Sequence, residues 1–222
     1  MVLVALNIDG TYHTQFGAGG IAATNIGYGG AAGQSCGGTS LPSYDSDYSL
    51  VESPNAGGDQ ITAVGSSYQS VNGVGYATKF AVERFNLADG KLDTAAFGPL
   101  VNSGSMHTGF AFGPNGTAFA GAFDDSVDHP GAIVAVGSGA NNFLAARFNF
   151  DGTLDENFGT HGVIGNTDFG QNNITANTID YARSVFIRPD GSILVGGYDY
   201  TTGTNGQIAL AELLDKNKVS VL

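Results

Sequence analysis

Short apolar runs separated by glycine, asparagine and aspartate dominate the chain. The runs are about five to eight residues long and rich in Val, Ile, Phe and Thr, which is typical of β-strands joined by tight turns. No segment sustains the 3.6-residue apolar period of an amphipathic helix. The pattern therefore predicts an all-β chain.

One stretch, residues 143–170, recurs along the sequence. Its Asp-Gly turn at Asp151 has counterparts at Asp9 and Asp89, and a shortened copy begins at Ile208. The turns at 9, 89 and 151 follow one another at spacings of 80 and 62 residues. Spacings of this size predict a repeat architecture, in which each unit packs against its neighbours.

Two further pairs of runs flank a Pro-Asx-Gly turn, Pro189-Asp190-Gly191 within residues 184–197 and Pro114-Asn115-Gly116 within residues 109–121. Proline presets φ and glycine tolerates positive φ, so each pair predicts a β-hairpin. A hairpin added to the strand pair of the repeat makes four strands per unit, which is what a propeller blade requires. The predicted units of this single domain, residues 1–222, are approximately 1–27, 47–104, 105–170 and 180–214.

This pattern resembles the bacterial delta repeat of about sixty residues, a propeller-like repeat. The resemblance rests on Leu154-Asp155 with Phe158-Gly159, on Leu92-Asp93 with Phe97-Gly98, and on the Pro189-Asp190-Gly191 hairpin. It implies a propeller-like array of four-stranded antiparallel sheets, with about three to four blades in this chain. It also implies a binding or interaction module of a bacterial surface or secreted protein, because the family shares an architecture without a common catalytic motif.

The first and last copies are incomplete, and residues 215–222 fall outside the pattern. Propellers close with about four to eight blades, so three outcomes are open. The terminal half-units combine into a fourth blade, several chains form a homo-oligomer that completes one ring, or the chain is part of a longer protein. The first two are favoured.

Charge and composition limit the classes of partner that the chain is expected to bind. Twenty acidic and eight basic residues leave a net charge of −12, which repels nucleic acid and anionic membrane. No apolar run approaches the roughly 20 residues of a membrane helix, and no export signal is expected at the start. A small-molecule or carbohydrate ligand is the favoured partner, and the single cysteine, Cys36, excludes an intrachain disulfide.

Two segments break the repeat, residues 28–58 and residues 122–131, and the second reads as an inserted loop. That loop carries Asp124, Asp125, Asp128 and His129. The aspartate carboxylates offer the oxygen ligands that calcium prefers, and the histidine adds one imidazole, so the four residues form a candidate metal site, although a solvated acidic loop is favoured. With such an ion the chain would be a metal-assisted lactonase or esterase in the propeller channel, which is the alternative to a binding module. The sequence leaves open whether the protein is an enzyme.

The candidate catalytic residues are His13, His161 and Ser35. The two histidines follow equivalent turns and could act as general bases, although surface roles are favoured. Ser35 matches the Gly-x-Ser-x-Gly pattern of a nucleophile elbow, but the helix that should follow it is missing from the pattern, and a surface loop is favoured.

Arg84 and Arg147 occupy the same point of their strands. We expect each to pair with a carboxylate of the next copy, with Asp93 and Asp155 as the candidates, and so to hold neighbouring units together. Tyrosines concentrated in the first third of the chain either line a carbohydrate platform or cover the core: Tyr28, Tyr44, Tyr48, Tyr68 and Tyr76.

Overall fold

The computed structural model describes residues 1–24, 45–54, 59–71, 75–101, 106–167, 178–201, 206–214 and 218–221. All the secondary-structure elements in these ranges are β-strands, as predicted, and all strand pairs within the sheets are antiparallel. The described ranges contain no helix that is long and apolar enough to cross a membrane.

The first strands form a small sheet of their own, the N-terminal sheet. It pairs β1 (Val2–Val4) with β2 (Ile21–Ala23). The chain then enters a four-stranded sheet, sheet A, through β3 (Asp45–Ser53), β4 (Gln60–Val71) and β5 (Gly75–Asn86). A short hairpin of β6 (Leu100–Val101) and β7 (Met106–His107) intervenes before β8 (Phe110–Asn115) completes sheet A beside β5.

Two more four-stranded sheets follow, each with its strands in chain order. Sheet B contains β9 (Thr117–Asp124), β10 (Ala132–Gly139), β11 (Asn142–Phe148) and β12 (Val163–Thr167). Sheet C contains β13 (Thr178–Ile187), β14 (Ile193–Thr201), β15 (Gln207–Leu214) and β16 (Lys218–Val221). Three successive four-stranded meanders confirm the predicted fold class, an all-β array of propeller-like sheets.

Three apolar cores lie between successive sheets and fix their order. The first joins the N-terminal sheet to sheet A and includes Leu3 and Phe85, the second joins sheets A and B through Phe80 and Phe148, and the third joins sheets B and C through Phe143 and Leu213. All six of these side chains are at most 6% exposed. Burying a side chain of this size stabilises the fold by about 1.5–3 kcal/mol, so the packing of each sheet on the next contributes to the stability of the fold.

One predicted hairpin is confirmed and the other is wrong. Residues 184–197 pair as β13 and β14 around a turn in which the Arg188 amide donates to the Ser192 carbonyl at 2.9 Å. Residues 109–121 instead divide between two sheets, because β8 pairs with β5 and β9 pairs with β10. The Pro114-Asn115-Gly116 turn therefore connects sheet A to sheet B. A turn sequence sets local direction but does not decide which neighbouring strand each arm will join.

The segment read as an inserted loop also has a different place. Residues 125–131 close the hairpin of β9 and β10, where Ala132 pairs with Asp124. They hold the position that Pro189-Asp190-Gly191 holds in sheet C, so this loop is a lengthened version of a regular turn.

The described strands do not combine the terminal half-units into one blade, which was one of the open outcomes. Residues Lys218–Val221, which lie within the stretch placed outside the pattern, pair with β15 and give sheet C its own fourth strand. Within the described residues, β1 of the N-terminal sheet pairs with β2 and with no other strand. The edge of β15 that a strand from the N-terminal unit would need is already occupied.

The repeated turn is held by a buried arginine–aspartate pair. Arg84 Nε donates to Asp93 Oδ2 at 2.9 Å, and Arg147 Nε donates to Asp155 Oδ2 at 2.8 Å. Each pair lies within one copy, so the expectation of a carboxylate from the next copy is wrong. The reason is that the Asp-Gly turn folds back on its strand, which brings the Asp93 amide within 2.8 Å of the Arg84 carbonyl oxygen.

Arg84 still reaches the next unit, but through a main-chain oxygen and a ring. Its Nη1 donates to the Phe150 carbonyl at 2.5 Å, and its guanidinium carbon lies 4.2 Å from the centre of the Phe150 ring. The predicted role of holding neighbouring units together is therefore met by other partners.

Candidate functional site

The first two strands of every four-stranded sheet share a β-bulge. The register breaks at Tyr48 in sheet A, at Phe119 in sheet B and at Arg183 in sheet C, so these three residues occupy equivalent positions. A bulge leaves one residue without a partner across the ladder and redirects its side chain.

A glycine faces each bulge from the second strand, and no other residue fits there. A Cβ atom would lie 1.8 Å from the Ser46 carbonyl oxygen at Gly65, 1.9 Å from that of Thr117 at Gly137, and 1.9 Å from that of Tyr181 at Gly197. The backbone geometry of the bulge is thus repeated three times, while the bulged residue differs each time.

The three bulged side chains contact one another across the sheets. The Tyr48 and Phe119 rings meet edge to face, with centroids 5.3 Å apart and planes at 70°. The guanidinium carbon of Arg183 lies 3.9 Å from the centre of the Phe119 ring, within the range of a cation–π interaction. A continuous line of contacts therefore runs from sheet A to sheet C.

Sheet C adds two tyrosines to this line. Tyr181 and Tyr198 are cross-strand partners with ring centroids 5.0 Å apart, and Tyr181 also lies 6.0 Å from Phe119. Arg183 Nη2 donates to the Tyr198 hydroxyl at 3.0 Å. We call the five residues the aromatic row: Tyr48, Phe119, Tyr181, Arg183 and Tyr198.

The row is accessible to a ligand. The Tyr48 side chain belongs to a residue that is 53% exposed, Arg183 is exposed, and the remaining three rings are half-buried. Aromatic faces carry negative electrostatic potential and bind flat apolar groups, while tyrosine hydroxyls and a guanidinium supply hydrogen bonds. The row combines the two kinds of contact over three consecutive sheets.

A cavity of about 240 Å³ lies at the Tyr48 end of the row, lined by Leu3, Asp47, Tyr48 and Leu50 among others. Burial raises the pKa of Asp47 to about 6. Below this end, burial raises the pKa of Glu83 to about 7, and the Thr24 hydroxyl donates to the Glu83 carboxylate. This end of the row can therefore change its charge near neutral pH.

The predicted metal ligands do not converge. Asp124 is fully buried and accepts a hydrogen bond from the Ser126 amide at 3.0 Å, whereas Asp125 and Asp128 are exposed. Among the described residues, no three His, Cys, Asp or Glu side chains are grouped so as to hold a metal ion. Side chains of a hairpin loop leave the backbone in different directions, which separates residues that are close in sequence.

His129 lies instead beside the buried pair of its own unit. Its Nδ1 is 3.5 Å from Asp155 Oδ2, the same oxygen that accepts from Arg147. In sheet A the equivalent contact to the buried aspartate comes from Gln60, whose Nε2 donates to Asp93 Oδ2 at 2.9 Å. A cavity of about 230 Å³ opens beside His129, Asn149 and Asp155.

The predicted catalytic histidines have local partners. His13 Nδ1 is 3.1 Å from Asn7 Oδ1, and His161 Nδ1 is 2.7 Å from Glu156 Oε2 in a side chain that is 83% exposed. Their positions in the turn also differ, since Tyr12 pairs with Leu6 just as Leu154 pairs with Phe148, which makes His13 the counterpart of Asp155. Ser35 and Cys36 lie outside the described residues.

Of the five tyrosines proposed as a platform, Tyr48 belongs to the aromatic row. Tyr28 and Tyr44 lie outside the described residues, as does the side chain of Tyr76. Phe119, Tyr181, Arg183 and Tyr198 were missed by the sequence reasoning. Aligning the glycines at 65, 137 and 197 would have revealed the equivalence of the bulges, but not the contacts between them.

Comparisons with known proteins bear on the fold. A family described as a domain of unknown function (DUF5122) beta-propeller matches residues 188–214, the stretch from the β13–β14 turn to the end of β15. No curated protein and no solved structure gives a match. Together with the repeated four-stranded sheets, this similarity identifies the chain as a propeller-type module.

Proposed function

We propose that this propeller-type module binds an oligosaccharide along the aromatic row, as part of a bacterial surface or secreted protein. The observation that carries the proposal is the contact line formed by the bulged residues of three sheets, Tyr48, Phe119 and Arg183. The apolar C–H face of a sugar ring stacks on an aromatic face, because the ring carries negative potential there.

The shape of the row supports an extended ligand. Its members come from three consecutive sheets, with ring centroids about one ring diameter apart at 5.0–6.0 Å. A single small ring would use only part of this surface, whereas a chain of sugar rings could use all of it. The Tyr48 and Tyr198 hydroxyls and the Arg183 guanidinium can bond to sugar hydroxyl or carboxylate groups.

The test is binding measured by isothermal titration calorimetry with cellohexaose, chitohexaose and hexagalacturonate as probes. We expect one of them to bind, with an affinity that rises from two to about four or more rings. Tyr48→Ala should weaken that binding by about tenfold, or about 1.4 kcal/mol, since the stacking surface at one end is removed.

Tyr12→Ala is the matched control. Tyr12 is 53% exposed, the same as Tyr48, but it lies in the turn of the N-terminal sheet. We expect this variant to bind like the parent chain. Equal losses in both variants, or no binding of any probe by the parent, would refute an oligosaccharide site at the row.

The hydrolase alternative stays a prediction from the sequence. Within the described part of the chain, His13 and His161 are engaged in separate turns and the aspartates of the β9–β10 loop do not converge. No specific contact favours that function over binding.

A further inference from the structure

The two ends of the sheet array expose apolar side chains in a regular pattern. On the N-terminal sheet, Val2, Val4 and Leu6 are 61%, 52% and 58% exposed, and Ile21 is 38% exposed. On sheet C, Phe186, Ile208 and Leu210 are 61%, 88% and 55% exposed. We call these sets the head face and the tail face.

The head face repeats one half of an interface inside the chain. Aligning the Asp-Gly turns at Asp9 and Asp151 places the four head-face residues on equivalent positions of sheet B. Those positions all belong to the core that packs sheet B against sheet A. They are Leu144, Ala146, Phe148 and Val163.

The tail face repeats the other half of the same interface. Aligning the bulges at Tyr48 and Arg183 matches Phe186 with Val51, and aligning β5 with β15 matches Ile208 and Leu210 with Phe80 and Val82. Val51, Phe80 and Val82 are at most 6% exposed and form the sheet A side of that core.

We propose that the tail face binds the head face of a second copy of this chain, so that two copies form one ring. The inference is independent of the proposed ligand. Head and tail are the two complementary halves of the contact between sheets A and B, so joining them continues an interface that the chain already builds. Large exposed apolar patches of this kind mark association surfaces.

The number of copies follows from the number of sheets. Within the described residues, one chain holds four positions in the stack joined by the three cores, the N-terminal sheet and sheets A, B and C, and the β6–β7 hairpin is not one of them. One chain does not close on itself, because its head and tail faces are both exposed. Two copies hold eight positions, the upper end of the range of about four to eight in closed propellers, and a third copy would exceed that range. A head-to-tail contact that closes after two copies leaves no apolar end free.

The solution mass of the full chain, measured by light scattering after size exclusion, tests the proposal. The parent chain should have the mass of two copies. Val4→Asp blocks the head face and Leu210→Asp blocks the tail face, so each variant alone should be monomeric with an unchanged circular dichroism spectrum. Val127→Asp is the control, since Val127 is 97% exposed in the β9–β10 loop and should leave the dimer intact.

Mixing the two blocked variants separates head-to-tail pairing from other modes. The tail of the Val4→Asp chain and the head of the Leu210→Asp chain are both intact, so the mixture should regain a dimer. Where either substitution unfolds the chain, Val2→Lys and Ile208→Lys take its place. A monomeric parent, a larger assembly, a blocked variant that stays dimeric, or a mixture that stays monomeric would each overturn the proposal.

Discussion

The Asp-Gly turn and the bulge that carries the aromatic row each occur three times in the described chain, but what is repeated differs between them. The turn repeats its residues: Arg84 with Asp93 and Arg147 with Asp155 have nearly the same geometry. The N-terminal copy lacks the pair, since Ala5 and His13 occupy those positions. The row repeats its backbone, a bulge facing a glycine, and changes the bulged residue from Tyr48 to Phe119 to Arg183.

The two arginine environments show what this difference means. Arg84 is 2% exposed and forms an ion pair with the Asp93 carboxylate, so its charge is neutralised inside the fold. Arg183 is exposed on aromatic rings, where its charge faces solvent. Identical residues at equivalent buried positions point to a structural role, whereas varied residues on an identical exposed backbone point to recognition.

The largest expected effect comes from breaking the buried pair. Arg84→Met should lower the free energy of unfolding by about 3–5 kcal/mol, because the Asp93 carboxylate would stay buried without its guanidinium partner. Urea denaturation measures this loss. Arg183→Met is the matched comparison and should cost less than about 1 kcal/mol, because exposed charge contacts contribute little. Equal costs would remove the distinction between the two environments.

Glu83 should make stability depend on pH at the Tyr48 end of the row. Burial raises its pKa from 4.5 to about 7, so the folded chain binds the proton more tightly than the unfolded chain does. The stabilisation is complete below pH 4.5 and is lost as the pH rises through about 7. We expect the free energy of unfolding to fall by on the order of 3 kcal/mol across this window.

Glu83→Gln isolates this contribution, since the amide cannot ionise. Denaturation curves at several pH values should show a shallower decline in the variant than in the parent. Asp47, with a pKa raised to about 6, leaves a smaller decline of the same sign. Identical pH profiles in the two proteins would contradict the assignment.

A bulge glycine tests whether the backbone of the row is as constrained as the turn. Gly137→Ala places a Cβ against the Thr117 carbonyl oxygen, so the strand must shift, and we expect a loss of about 1–3 kcal/mol in urea denaturation. At Gly165 the same substitution meets only the flexible end of Leu144, at 2.9 Å. The Gly165→Ala control should therefore cost less, and the reverse order would argue against a constrained bulge.

The smallest effect concerns ligand preference at Arg183. If the row binds oligosaccharides, Arg183→Met should weaken binding of hexagalacturonate about twofold to fivefold, since an exposed guanidinium contributes a modest attraction. Binding of an uncharged oligosaccharide should change less. Calorimetry in low salt measures both, and an equal change for charged and uncharged probes would show that Arg183 acts only through packing.

The sequence predicted the repeated turns better than the aromatic row, because the turns depend on neighbouring residues and the contacts of the row do not. The Asp-Gly and Phe-Gly turns are local signals, and so is the Pro189-Asp190-Gly191 hairpin that the strand pairing confirms. The pairing of Pro114-Asn115-Gly116 was mispredicted because its two arms pair with strands of different sheets, β8 with β5 and β9 with β10, and the turn residues do not encode this choice. Calcium, a surface or secreted location and hydrolase activity stay predictions.

By itself, the sequence determined the all-β class, the repeat and the turn residues, since these depend on apolar alternation and on the backbone preferences of glycine and proline. Only the tertiary structure decided which strands share a sheet, that each arginine pairs within its own copy, and that Tyr48, Phe119 and Arg183 meet. The contacts of Tyr48 with Phe119 and of Phe119 with Arg183 join residues more than sixty positions apart in sequence. The stacking of sheets through their apolar cores, rather than any local signal, brings these residues together.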